Sequence, residues 1–118
     1  MKIIEGDPPN CRGFALWKLG LLPQLNFVEE GSLDMFPLEE TNENPQLIGV
    51  LMTTRAGPEL IHLAVIDTNQ PDYVWQIKNT GLSPEYVPIA DVIDRYSGDL
   101  LPSCKIVMLK VSNSYLGS

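Results

Sequence analysis

Three strand-like runs follow one another between Leu47 and Lys78, and they limit what the rest of the chain can build. Leu47–Thr54 runs out, Glu59–Asp67 runs back, and Tyr73–Lys78 makes a third pass. Each run is rich in β-branched or aromatic residues, which pack well on a pleated surface. The segments Arg55–Pro58 and Asp67–Asp72 between them concentrate Gly, Pro, Asn and Asp, which suit tight turns. In the second run Ile61, Leu63 and Val65 point to one side, and Leu60, Ala64 and Ile66 to the other. Apolar residues on both faces predict a central strand covered from two sides. In the third run Tyr73, Trp75 and Ile77 alternate with Val74, Gln76 and Lys78, which predicts a half-exposed strand.

The flanking segments add helices and further strands. Lys2–Glu5 suits a short edge strand, which Gly6–Asn10 breaks. Asn10 is placed to cap a short helix through Trp17, with Phe14, Trp17 and Leu21 on one face. Gly13 weakens that helix by about 1 kcal/mol if it is interior. Gly20 and Pro23 end it. Leu25–Glu29 alternates like a strand, Leu33–Phe36 reads as its partner, and Glu39–Pro45 reads as a polar loop. Ser83-Pro84-Glu85 carries a helix-start pattern, but Pro88 leaves two readings open. Either a turn at 83–86 precedes a helix from Pro88, or one helix has an irregular first turn. Ile89, Val92, Ile93 and Tyr96 then fall on one helical face, with Gly98 as the terminator. Residues 100–102 read as a connector, Cys104–Val111 as a last strand, and 112–118 as a polar tail. In that last strand Val107, Leu109 and Val111 face one side, and Ile106 and Met108 the other. This order predicts a single α+β domain over residues 1–118. It has an antiparallel or mixed sheet of four to six strands and one or two packed helices.

Composition narrows the partners. The chain is 44% apolar and carries a net charge of −7, so it has material for a core and repels polyanions. The eight basic residues are scattered singly and form no stripe. Nucleic acid and acidic membrane surfaces are therefore not expected partners, and no run reaches the roughly 18 apolar residues of a membrane span. The ten prolines fall outside the strand runs and act as punctuation. Cys11 and Cys104, with no secretory signal at the N-terminus, read as reduced thiols in a cytoplasmic setting.

Chemistry-bearing residues are sparse. His62 is the only histidine and sits among apolar neighbours, which fits a core-edge or sheet-surface imidazole with one hydrogen bond. One histidine and two distant cysteines do not make a zinc pattern, and no cofactor motif is present. Asp91 and Asp94 share a helical face with Asp99 nearby, but Arg95 beside them marks a solvated face rather than a cation site. Asp67–Asp72 reads as a turn, not a calcium loop, since it lacks the sixth-position glycine. No catalytic residue, metal ligand or cofactor is assigned.

The informative asymmetry is one of charge. No basic residue occurs between Lys18 and Arg55, while Glu29, Glu30, Asp34, Glu39, Glu40 and Glu43 fall in that interval. Met35 and Phe36, together with Leu33 and Leu38, are interleaved with them. Acids around apolar anchors suit a docking surface, where charge steers association and the anchors hold it. The leading expectation is a protein–protein interaction module. By analogy of size and charge, it is a small acidic inhibitor or immunity-type protein that binds a basic protein partner. One alternative is a small-molecule-binding or enzymatic domain with a pocket between the helix at 88–97 and the sheet, lined by Tyr73, Trp75 or His62. Another is a structural subunit joined through an exposed edge such as Tyr73–Lys78 or Leu25–Glu29.

Overall fold

The computed structural model describes residues 1–97 and 103–113. The chain runs through β1 (Ile3–Ile4), α1 (Cys11–Lys18), β2 (Phe27–Val28), a 3₁₀ turn (Leu33–Met35), β3 (Leu38–Glu40), β4 (Leu47–Thr54) and β5 (Gly57–Ile66). It continues through β6 (Tyr73–Gln76), β7 (Glu85–Pro88), α2 (Ile89–Tyr96) and β8 (Cys104–Val111). Six strands form one sheet in the order β3-β8-β4-β5-β6-β7, and every neighbouring pair is antiparallel. β1 and β2 form a separate two-stranded sheet. The architecture is the expected α+β class, with α1 on one face of the sheet and α2 on the other.

The two faces carry separate cores. On the α1 side Leu16, Leu47, Leu60, Leu63, Val65, Val107 and Leu109 pack together under Phe36 and Leu38. On the α2 side Ile48, Ala64, Ile66 and Val74 pack against Val92. Burial of each large side chain contributes about 1.5–3 kcal/mol. β5 is thus the doubly covered strand that its two apolar faces predict, and Val107, Leu109 and Val111 of β8 are buried as their alternation predicts.

One detail of β5 departs from simple alternation. Val50 pairs with His62 but Leu51 pairs with Leu60, so Ile61 is an extra residue in a β-bulge. The bulge turns Leu60 onto the α1 face, beside Leu63 and Val65, rather than beside Ala64. It also leaves the Ile61 carbonyl free of the ladder. Pro58 lies inside β5, near its start, where the outer edge has no strand neighbour and a missing N–H costs nothing.

Other expectations change for identifiable reasons. Asn10 caps α1 by accepting from the Gly13 N–H at 2.9 Å, as expected. The buried part of α1 is Cys11–Leu16, however, and Trp17 is left 40% exposed. Gly13 is a packing requirement, since a Cβ there would come within 1.6 Å of the Asn26 carbonyl oxygen. Leu33–Phe36 is not a strand. It forms a 3₁₀ turn that carries the chain across the α1 face, and Glu39 and Glu40, read as loop, belong to β3, pinned against β8 by buried Leu38. No helical turn forms at 83–86; Glu85–Pro88 is strand, because Val74 and Trp75 of β6 pair with Val87 and Tyr86. α2 begins at Ile89, directly after Pro88. Tyr73–Gln76 is therefore an interior strand and offers no open edge for assembly, and Val74 and Gln76 form its buried face. The Gly98 terminator, the 100–102 connector and the end of the polar tail lie outside the described residues.

Candidate functional site

Residues 29–43 do not gather into one knot. Gly31 makes an isolated bridge to Leu60 beside β5, whereas β3 lies beyond β4 and β8. At about 4.8 Å per strand spacing, the two ends of the segment are roughly 20 Å apart. The acids therefore form a spread strip rather than a cluster, and Glu39, which alternates with inward-facing Leu38, points to the opposite face beside Lys110. Glu30, Asp34, Glu40 and Glu43 are exposed along it. Glu29 and Glu39 are half-buried and lean toward the chain's own cations, Lys2 at 3.9 Å and Lys110 at 3.7 Å. Such surface pairs contribute little. Met35 is 52% exposed, but Phe36 is buried at 5% and belongs to the core. Leu38 is buried as well. Of the apolar anchors expected there, Met35 alone stands well out, with Leu33 half-buried.

A second constellation lies where β5 and β6 separate. Their ladder holds only at Val65–Trp75 and Ile66–Val74, so the edge of β5 around Ile61 and His62 is open. The N-terminus of α1 fills that gap from one face and the end of α2 from the other. Arg12, only 5% exposed, donates from Nε to the Val28 carbonyl at 2.8 Å and from Nη1 to the bulged Ile61 carbonyl. Cys11 Sγ also donates to that carbonyl, at 3.5 Å. Asn10 donates to the Val28 carbonyl at 2.8 Å, which ties β2 to the helix start.

His62 is 1% exposed and packs against Tyr96 with the rings tilted by 32° and their centroids 5.2 Å apart. Its Nε2 is 2.7 Å from Gln76 Oε1, and Gln76 Nε2 donates to Glu85 Oε1 at 2.8 Å. The carboxylate accepts only, so Gln76 turns its NH₂ to Glu85 and its oxygen to His62. Nε2 therefore carries the His62 proton. Burial lowers the His62 pKa to about 4, against the raising effect of the Gln76 bond, so the ring is neutral. Burial likewise raises the Cys11 thiol above its ordinary value, outweighing the lowering by Arg12. A neutral imidazole tied to an amide and a protonated thiol do not form an activated nucleophile pair. The single hydrogen bond expected for His62 is the one observed.

The aromatic residues of β6 lie elsewhere. Trp75 and Tyr73 pack on Tyr86 of β7, with centroids 4.5 and 5.1 Å apart, and Lys18 sits 5.0 Å over the Trp75 ring. Asp67 accepts from the Tyr86 hydroxyl, which lowers the carboxyl pKa and raises that of the phenol to about 12. Asp91 and Asp94 are exposed on α2, at the mouth of a cleft that also holds Glu85 and Lys78. Sequence reasoning missed the convergence at the β5–β6 gap. Its one local signal was Arg12 next to a helix cap, a position where a solvated cation would also look ordinary.

No family model matches this chain, and neither does any curated protein or solved structure.

Proposed function

We propose that the protein is an interaction module, a small acidic inhibitor or immunity-type domain that captures a basic protein partner in a reducing, cytoplasmic setting. One observation carries this reading. Glu30, Asp34, Glu40 and Glu43 stand exposed along a single crossing segment, and none has a cation within ion-pair distance among the described residues. Four unpaired carboxylates over roughly 20 Å match the footprint of a macromolecule, where a standard interface takes about 800 Å² from each partner. Met35, exposed between Asp34 and β3, supplies an apolar contact within the strip. The free thiols of Cys11 and Cys104 support the reducing setting.

The test replaces Glu40 and Glu43, which are exposed and outside both cores. Wild type and the Glu40→Lys/Glu43→Lys variant serve as baits in source lysate. The expected result is a basic protein retained by wild type, released by salt, and at least about tenfold depleted on the variant. Identical retention by both baits, with the same salt dependence, ends the proposal.

A further inference from the structure

The basic residues that look scattered along the sequence converge at the β5–β6 gap. Arg12 reaches it from α1, Lys78 from the segment after β6, and Arg95 from the last turn of α2. They line one cavity of about 180 Å³, together with His62 and Asn79. Among the described residues, Glu30 is the single carboxylate on its wall. In a chain of net charge −7, three cations against one anion is a local inversion of sign.

The two arginines, one buried and one half-buried, have no carboxylate partner among the described residues. Arg12 is almost wholly buried, yet its bonds go to the neutral Val28 and Ile61 carbonyls and to Cys11 Sγ at 3.7 Å. Arg95 lies 5.4 Å over the Tyr96 ring and donates from Nη2 to Asn79 Oδ1 at 3.2 Å, while its Nη1 is buried with no hydrogen-bond partner among the described residues. The adjoining cleft carries Glu85, Asp91 and Asp94, but none comes within ion-pair distance of Lys78 or Arg95. A buried guanidinium nitrogen without an acceptor is costly, and a ligand oxygen placed there would remove the cost.

We infer that this cavity binds a phosphate-type oxyanion, either the free ion or the end group of a small phosphate ester. The cavity is half open and small, so it has room for one tetrahedral group and leaves any larger body in solvent. Arg95 Nη1 presents the open donor for a phosphate oxygen. Arg12, whose Nε and Nη1 are held by the Val28 and Ile61 carbonyls, adds its charge beside it, and exposed Lys78 adds a third positive charge on the wall. The site does not depend on the acidic strip. Glu30 is the only residue common to both.

The test uses the whole protein, with inorganic phosphate as probe and sodium chloride at matched ionic strength as control. Calorimetric titration and thermal unfolding are read together. Phosphate is expected to bind saturably and to raise the melting temperature, while chloride does neither. Arg95→Gln and Lys78→Gln each weaken binding by about tenfold while still unfolding cooperatively in chloride, and Arg95→Gln, which removes the unpaired nitrogen, melts no lower than wild type there. Glycerol phosphate, titrated in parallel, distinguishes the two sources. Tighter binding than inorganic phosphate assigns an ester end group, and weaker binding assigns the free ion. Absence of any phosphate-specific response, or a response that both variants leave intact, overturns the inference.

Discussion

His62 shows how strongly position rules chemistry in a chain with one imidazole. The ring is buried, neutral and held in its Nε2–H form by Gln76. Its pKa falls from the ordinary 6.5 to about 4 on folding. The unfolded chain therefore takes up a proton before the folded one does. The stability due to the neutral ring is complete above pH 6.5 and is lost as pH falls through the window down to about 4. The loss is on the order of 3 kcal/mol. Urea unfolding across that window is expected to show it, and His62→Gln to flatten the profile. Because the chain has a single histidine, one imidazole NMR resonance reports the titration directly. Asp67, whose pKa is lowered by the Tyr86 hydroxyl, adds a loss of its own at the acid end of this window, which the His62 resonance separates from the imidazole titration.

The β5 bulge links local geometry to tertiary structure. The extra residue Ile61 leaves a carbonyl outside the ladder, and Arg12 answers it while also holding Val28 of β2. One guanidinium thus joins the small sheet to the large one. Arg12→Lys keeps the charge but loses the planar fork, so it is expected to destabilise the protein by about 2 kcal/mol in chemical denaturation. A change below about 0.5 kcal/mol would remove the bulge from this role. Alternation in the sequence showed β4, β5, β8 and α2, since those patterns are local. It did not show the bulge, because one inserted residue shifts Leu60 to the opposite face without altering composition. Leu33–Phe36 failed for a related reason. Four apolar-alternating residues suit a strand, but the chain has to cross a face there, and a 3₁₀ turn makes that crossing.

Across the molecule, what stayed hidden was whatever depends on strand order. Glu39 and Glu40 read as loop because their partner, β8, lies at the far end of the chain. Arg12, Lys78 and Arg95 read as unrelated because only the separation of β5 and β6 brings them together. Phe36 read as a docking anchor because nothing local marks which of two adjacent apolar residues, Met35 or Phe36, turns inward. The position of β8 makes a further prediction. It lies between β3 and β4, so a chain ending at Ser97 keeps the β4–β7 meander in sequence but loses the neighbour of both β3 and β4. Such a fragment is expected to show neither cooperative unfolding nor native circular dichroism, whereas a stable native-like fragment would mean that the meander stands alone. During synthesis this has a cost in time. A nascent chain leaves the ribosome with β3 unpaired and one edge of apolar β4 open until residue 111 has emerged, and the carboxylates of β3 and the turn after it would then act as guards against neighbouring polypeptides.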